Sequence, residues 1–287
     1  MGRRRAREEA PETRLSDGSI ARVVPSRFTS GYELEVEGTP QSHVDLDDPT
    51  HLHFEYVARM GAVIDLLAAP GQPITAVHLG AGGLTIPRYV EATRPGSRQQ
   101  VLELEPALAD LVREQLPLPP GASIRIRIGD AREGIRRLPA ALTGAAELVV
   151  SDVYAGAQTP AHLTTVEFFT EAARLLAPGG VLMANVADGS GLAFARREVA
   201  TVRAVLEHVV VLAEVQTLKG RRFGNLVIAA SDAPLPVGWL PRLMAAGPHP
   251  AKVAYGHELD EFVRGVRPAT DADATPSPRP IPTLFDR

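Results

Sequence analysis

The residues best suited to chemistry in this chain are a glycine-rich turn and the acidic side chains that follow predicted strands. Gly80, Gly82 and Gly83 come directly after the apolar segment Thr75–Leu79. Glycine lets the backbone turn sharply and lets a ligand approach main-chain N–H groups at the start of a helix. Thr85 stands where the dinucleotide-binding motif has its third glycine, which disfavours a dehydrogenase. We therefore predict that these three glycines contact a nucleoside-containing cofactor.

Two acids follow the next two predicted strands. Glu103 ends the second strand, where a carboxylate can accept hydrogen bonds from both ribose hydroxyls. Asp130 follows the third strand, and with Ala131 it can meet the adenine ring; the alternative for Asp130 is a helix N-cap. Because ligands of open α/β sheets bind at the carboxyl ends of the strands, these residues together predict an adenosine site.

Asp152 and Tyr154 follow the fourth predicted strand and are the candidate catalytic residues. A carboxylate at this position can hold an amine by charge-assisted hydrogen bonds and accept its proton. The Tyr154 hydroxyl can supply a further hydrogen bond. The alternative for Asp152 is a strand-end acid that bonds to a backbone N–H.

The elements that must position these residues are short apolar strands alternating with helices from residue 75 onward. This pattern predicts a parallel sheet covered by helices on both faces. The last two predicted strands, residues 209–218 and 223–230, are separated by only four residues, which forces an antiparallel hairpin. We predict an α/β, Rossmann-like, methyltransferase-type fold with a seven-stranded, mostly parallel sheet ending in that hairpin, plus a small N-terminal β domain.

The same pattern of predicted strands and helices divides the chain into four parts. We expect a disordered tail over residues 1–14 and an N-terminal β-hairpin domain over 15–58. A Rossmann-like nucleoside-binding catalytic domain follows over 59–236, and a C-terminal extension over 237–287.

The composition excludes several classes of function. None of the 287 residues is a cysteine, which rules out disulfides, thiolate nucleophiles and cysteine–zinc sites. A net charge of −4 gives no electrostatic case for nucleic acid or an anionic membrane as partner. No apolar run approaches the roughly 20 residues that span a bilayer, and no P-loop or Gly-x-Ser-x-Gly string occurs. His51 and His53 lack a clustered third ligand, so we expect no metal site. Because no spanning segment and no secretory signal are recognised, we expect a cytoplasmic protein.

The order of these motifs resembles the spermidine synthases, the polyamine aminopropyltransferases. Besides the motifs above, residues 38–41 (Gly-Thr-Pro-Gln) and Phe223-Gly224-Asn225 are similar to family elements. Asp152 matches the acid assigned as the base in this family. The resemblance implies an adenosine-containing sulfonium co-substrate, and it makes Gln41 and Glu55 the expected substrate-binding residues.

The sequence departs from the family pattern at two acids. Gly83 stands where the family's glycine turn has an aspartate that helps to bind the aminopropyl donor. Ala155 stands where the family's Asp-x-x-Asp-Pro motif has its second acid. The chain therefore resembles divergent members of the family.

The resemblance implies transfer of an aminopropyl group from decarboxylated S-adenosylmethionine to an amine such as putrescine, with methylthioadenosine as product. Two alternatives stay open: an S-adenosylmethionine-dependent methyltransferase, which the missing acid at Gly83 favours, and a non-catalytic synthase-like binding protein. The resemblance also implies that the protein forms a homodimer and that its acceptor substrate is a small-molecule amine.

Overall fold

The computed structural model describes residues 10–27, 29–156, 158–246 and 249–279. These residues form a four-stranded antiparallel sheet and an eight-stranded, mostly parallel sheet flanked by helices. The predicted α/β class, the mostly parallel sheet and the separate N-terminal β unit are confirmed.

The N-terminal sheet is a meander in which each strand pairs with the next. Its strands are β1 (Glu12–Arg14), β2 (Ile20–Pro25), β3 (Tyr32–Val36) and β4 (Thr39–Val44). The prediction was a hairpin of β2 and β3 alone, preceded by a disordered tail to residue 14. The predicted end of the tail at residue 14 is wrong, because Glu12–Arg14 pairs with β2 as an edge strand. Residues 1–9 lie outside the described residues.

The main sheet has the strand order β12-β10-β11-β9-β8-β5-β6-β7 within the described residues. Strands β5 to β9 are parallel to one another, whereas β11 is antiparallel to both β9 and β10. The strands are β5 (Thr75–Leu79), β6 (Arg98–Glu103), β7 (Ser123–Ile128), β8 (Ala146–Ser151), β9 (Leu176–Asp188), β10 (His208–Ala213), β11 (Gly224–Ser231) and β12 (Lys252–Ala254).

Helices cover both faces of this sheet. One face packs against α4, α5 and α6 through residues such as Ile135, Phe168 and Val199, and the other packs against α1, α2 and α8 through Met60 and Val90. The helices are α1 (Glu55–Ile64), α2 (Thr85–Thr93), α3 (Pro106–Gln115), α4 (Ala131–Arg137), α5 (Val166–Ala173), α6 (Ala193–Arg203), α7 (Val215–Leu218), α8 (Leu240–Ala246) and α9 (His257–Phe262). The helix α3 packs beneath the N-terminal sheet.

Three details differ from the sequence-based expectation. The sheet has an eighth strand, β12, which pairs with the edge strand β10. The strand predicted over residues 209–218 ends at Ala213, one residue after its pairing with β11 stops at Leu212, and α7 follows. The helix α1 crosses the predicted boundary at residue 58, so a division there would cut a continuous helix.

Candidate active site

The carboxyl ends of four adjacent strands stand level with one another. Leu79 of β5 pairs with Leu102 of β6 and with Ser151 of β8, and Glu103 pairs with Ile128 of β7. The residues that follow, including the predicted site residues, therefore lie side by side along one edge of the sheet. Three strand spacings separate the β7 tip from the β8 tip, roughly 14 Å in all, which is the length of a nucleoside with a short chain attached.

Gly80 lies where the β5 and β8 tips approach most closely. Its φ is +92°, and a Cβ added to it would stand 2.2 Å from the main-chain oxygen of Asp152. No side chain fits between the two strands at that point. Glycine at position 80 therefore lets the turn run directly beside Asp152.

Gly82 and Gly83 face the N-terminal sheet. A Cβ on either would come within 3.0 Å of the Ser42 side chain of β4. The N–H of Gly83 donates to Ser42 Oγ at 2.9 Å, so that amide already has a partner. Small size at these two positions thus serves the packing of β4 on the turn, and the predicted cofactor contacts of Gly80, Gly82 and Gly83 stay predictions.

Glu103 is 7% exposed and supports the turn from the β6 tip. Its Oε2 accepts the N–H of Ala81 and its Oε1 accepts the N–H of Glu105, both at 2.9 Å. Burial raises the pKa of Glu103, and these hydrogen bonds oppose the rise. Each oxygen keeps a second lone pair, so the predicted ribose contact is compatible with this geometry and stays a prediction.

Asp130 caps α4, which confirms the capping alternative for this residue. Its Oδ1 accepts from the N–H groups of Arg132 and Glu133 at 3.0 Å, while His162 Nε2 lies 2.7 Å from its Oδ2. Burial raises the pKa of Asp130, but the hydrogen bonds outweigh burial and hold the pKa below its ordinary value. Ala131 is buried as the first residue of α4. An adenine amino group would have to share or replace the His162 contact, and the adenine role of both residues stays a prediction.

Two apolar side chains at this edge were not predicted as site residues. Leu104 and Ile128 are 48% and 49% exposed, although each follows or ends a strand of the main sheet. They stand beside Glu103 and Asp130 respectively. The available signal was a large apolar residue one or two positions from each candidate acid.

Asp152 is the centre of a half-buried polar cluster at the β8 tip. Asn185 Nδ2, from β9, donates to its Oδ1 at 2.9 Å, and the Tyr56 hydroxyl, from α1, donates to its Oδ2 at 3.3 Å. Burial raises the pKa of Asp152, while both hydrogen bonds act to lower it. Tyr56 and Asn185 were not predicted, because nothing in their spacing links them to residue 152.

This cluster holds polar atoms that are buried without a hydrogen-bond partner. They are Asn185 Oδ1 and the Tyr154 hydroxyl oxygen. The backbone of Ala187 and the side chain of Thr159 lie near the Tyr154 hydroxyl. Burial and the charge of Asp152 both raise the pKa of Tyr154. The cluster therefore has unused acceptors around a carboxylate, which favours a ligand rich in N–H donors.

The two predicted substrate-binding residues have other partners. Glu55 accepts from Arg59 Nη2 at 3.0 Å within α1, and Arg59 is 2% exposed. Gln41 lies on β4 and donates to the main-chain oxygen of Thr39 at 3.4 Å. In the part of the chain that the structure describes, neither forms a hydrogen bond with Asp152. Their substrate role stays a prediction.

The described residues contain neither a side-chain cluster suited to a metal ion nor a helix suited to a membrane. Within those ranges, no group of three or more His, Cys, Asp or Glu side chains is arranged to hold a metal ion. Over the same ranges, no helix combines the length and the apolar character needed to cross a bilayer.

Comparison with solved structures gives a match over nearly the whole chain. A probable spermidine synthase from Corynebacterium glutamicum is 32% identical, with a TM-score of 0.81, and the match covers 92% of this chain and 97% of that one. The chain belongs to the spermidine synthase-like family. The resemblance of its motifs to that family is thereby confirmed.

Other comparisons of this spermidine synthase-like chain are shorter or more distant. The polyamine aminopropyltransferase of Vibrio vulnificus is 33% identical over 142 residues, which are 49% of this chain and 46% of that protein. The polyamine aminopropyltransferase of Chromobacterium violaceum is 27% identical over 51% of this chain and 54% of its own length. The matched region thus spans about half the length of these curated relatives. No family model matches the chain.

More distant solved structures share the fold of this spermidine synthase-like protein. Spermidine synthase from Thermotoga maritima matches 88% of the chain and 86% of its own with a TM-score of 0.59 at 14% identity. Human Methyltransferase-like protein 13, in complex with SAH, matches 75% of this chain and 93% of its own with a TM-score of 0.51 at 18% identity. The predicted methyltransferase-type topology is consistent with both.

Proposed function

We propose that this protein transfers an aminopropyl group from decarboxylated S-adenosylmethionine to a small amine, with Asp152 as the base. The relatives that support this are named spermidine synthase or polyamine aminopropyltransferase. The observation that carries the proposal is the half-buried cluster in which Asp152 and Asn185 Oδ1 offer acceptors without enough donors. An ammonium or amine nitrogen supplies up to three N–H donors and fits that deficit.

The donor binds along the strand tips beside this cluster. Glu103 accepts from the ribose hydroxyls, as carboxylates at this position of such sheets do. Leu104 and Ile128 offer exposed apolar surfaces to the faces of the base, and Asp130 accepts from its amino group. The turn at Gly80 brings the sulfonium end next to Asp152, since the two main chains approach there without room for a side chain.

The reaction is a direct displacement. The lone pair of the neutral amine forms a bond to the carbon attached to the sulfonium sulfur, the carbon–sulfur bond breaks, and its electron pair leaves with sulfur as methylthioadenosine. The amine proton passes to Asp152, whose ionised form is the base. Binding both reactants in one cleft removes most of the entropic barrier to their encounter.

Release of methylthioadenosine tests the proposal directly. The purified protein should release it from decarboxylated S-adenosylmethionine only when putrescine or another amine is present. If intact S-adenosylmethionine is consumed and S-adenosylhomocysteine accumulates, the protein is a methyltransferase. Binding of methylthioadenosine without turnover of either donor would indicate the non-catalytic alternative.

Gly83 is the observation that favours the methyltransferase alternative. The family's acid is absent from that position, and its N–H is bonded to Ser42 instead. The acceptors around Asp152 support an amine as the acceptor substrate, and the names of the relatives favour aminopropyl over methyl transfer to it. A homodimer and a cytoplasmic location are proposed on the family resemblance and the composition.

A further inference from the structure

Ser277 lies in an irregular part of the chain and is nevertheless fully buried, with 0% of its surface exposed. Pro276 and Pro278 flank it. Because proline fixes its own φ and disfavours the helical region for the residue before it, the chain is held extended here. A buried serine between two prolines indicates that residues 269–279, the C-terminal strap, have a specific docking position on the domain.

That docking position is the connecting segment between β8 and α5, residues 152–156 and 158–165. The N–H of Ser277 donates to the main-chain oxygen of Thr159 at 3.1 Å, and the N–H of Thr159 donates to Ser277 Oγ at 2.8 Å. Gln158 Nε2 donates to the main-chain oxygen of Ser277, and Gln158 Oε1 accepts from Arg279 Nε at 2.8 Å. Thr159 is only 8% exposed, so its N–H and C=O depend on the strap for their hydrogen bonds.

The other end of the strap is attached where the connecting segment ends. The N–H of Val166 donates to the main-chain oxygen of Ala269 at 2.9 Å, and the N–H of Asp271 donates to Glu167 Oε2 at 3.0 Å. The carboxylate of Asp271 also accepts from both terminal nitrogens of Arg132, at 2.7 Å and 2.8 Å. The strap therefore holds the second half of the connecting segment at both of its ends.

The connecting segment carries two side chains of the candidate site. His162 Nε2 lies 2.7 Å from Asp130 Oδ2, at the position proposed for the adenine amino group. Tyr154, with its buried hydroxyl, belongs to the first half, which is joined to the second because the N–H of Ala155 donates to the main-chain oxygen of Gln158 at 2.9 Å. Restraining Gln158 therefore restrains both side chains.

We propose that Ser277 is a positioning residue, through which the C-terminal strap fixes the connecting segment before any substrate binds. The inference rests on the proposed function, because that function assigns Asp130 to the base of the donor and Asp152 to the amine. A segment that is ordered in advance loses less conformational entropy when a ligand binds, so the strap should increase the affinity of the site. Ser277 touches neither reactant and acts through Thr159.

Hydrogen exchange of the ligand-free protein tests this without requiring turnover. Peptides covering residues 158–165 should exchange slowly in the wild type and about tenfold or more faster in Ser277→Ala, which removes the acceptor of the Thr159 amide. Peptides covering β5 are the internal reference and should exchange equally in both proteins. Thr275→Ala, an exposed change in the same strap, should leave both regions unchanged.

Ligand affinity gives a second readout. Ser277→Ala should bind methylthioadenosine about fivefold to tenfold more weakly in calorimetric titration, because ordering of the segment then opposes binding. In initial-rate measurements the KM for the donor should rise while kcat stays within about twofold of the wild type.

Unchanged exchange over residues 158–165 in Ser277→Ala would overturn the inference, and so would an equal acceleration in β5, which would show general destabilisation. Asp271→Asn decides the matter if Ser277→Ala does not fold, since Asp271 is exposed and its loss should loosen the same peptides by a smaller factor. Methylthioadenosine release is measured in parallel. Local acceleration in a protein that releases none would refute aminopropyl transfer and leave the positioning by the strap standing.

Discussion

Asp152 is ionised in the proposed reaction although burial disfavours its charge. Because the folded protein raises its pKa, the carboxyl destabilises the native state increasingly as pH rises from 3.8 through that higher pKa. Asn cannot ionise. We therefore expect Asp152→Asn to raise the free energy of unfolding at neutral pH and to lower methylthioadenosine release by about 100-fold or more.

Urea unfolding and initial-rate measurements check the two halves of this prediction. Asp110→Asn is the matched control, since Asp110 is exposed on α3 and pairs only loosely with Arg113 at 3.8 Å. That control should change neither quantity. Activity close to that of the wild type in Asp152→Asn would remove the residue from the role of base.

Tyr56 sets the pH at which Asp152 ionises. Its hydroxyl donates to the carboxylate and so lowers the pKa of Asp152. In Tyr56→Phe that pKa should rise, and the acid limb of the pH–rate profile should move to higher pH while the plateau rate changes little.

Tyr89→Phe is the control for this change. Its hydroxyl donates to Asp65 at 2.7 Å, away from the Asp152 cluster. Both variants lose a buried tyrosine hydrogen bond, but only Tyr56→Phe should shift the limb. A similar shift in both would show that general destabilisation is responsible.

The β5–α2 turn depends on close main-chain approach as well as on backbone conformation. Gly80→Ala adds a positive-φ penalty and a Cβ that would lie 2.2 Å from the Asp152 oxygen. Gly121→Ala adds only the positive-φ penalty, because φ is +85° there and the added Cβ meets nothing within 4 Å. We expect Gly121→Ala to cost about 1–2 kcal/mol and Gly80→Ala to cost about 1–3 kcal/mol more.

Denaturant titration of both variants measures the difference. The excess loss in Gly80→Ala is the energy of separating the β5 and β8 tips. Equal losses in the two variants would mean that the turn moves freely away from β8, and the placement of Asp152 beside it would then not be rigid.

The elements predicted from sequence are those with strong periodic signals. The strands β5 to β9 are largely apolar and are separated by helical segments. The antiparallel pairing of β10 with β11 was also predicted, but from a four-residue connection, whereas the observed connection is residues 214–223 and includes α7. The missed strands are short or polar: β1 has three polar residues, β4 contains Pro40, and β12 has three residues and pairs with β10. These three strands exist because a neighbour offers a free edge, which local sequence does not reveal.

The candidate site residues also separate into those that the sequence pattern indicates and those that depend on tertiary packing. Acids that directly follow a parallel strand can be placed at one edge by topology alone, and Glu103, Asp130 and Asp152 were found for that reason. Tyr56 lies on a helix 96 residues from Asp152, and its role depends on how α1 packs on the sheet. The partner of Glu55 also depends on packing, since it is the buried Arg59.

The stability of the whole molecule should depend on pH through His78, which is buried within β5. Burial lowers its pKa to about 4, and its Nε2 lies 2.9 Å from Gln99 Oε1. Because the unfolded chain takes up the proton near the ordinary value of 6.5, this group removes stability as pH falls from 6.5 toward 4. Over that window the loss should reach up to about 3 kcal/mol.

His78→Gln should flatten this part of the stability curve, because glutamine can still donate to Gln99 and does not titrate. Chemical unfolding at several pH values between 4 and 7 measures the slope. His257→Gln is the control, since His257 is largely exposed and should leave the slope as it is. Parallel slopes for the wild type and His78→Gln would show that other groups dominate acid sensitivity.

The position of β11 between β9 and β10 affects how the chain reaches its final form during synthesis. While a ribosome is still adding residues before Gly224, β9 can pair with β8 but has a bare second edge, and β10 has no neighbour yet. Such unpaired edges attract other chains and chaperones. The nascent protein should therefore remain open until Gly224–Ser231 emerges and inserts, so that the sheet closes in one late step.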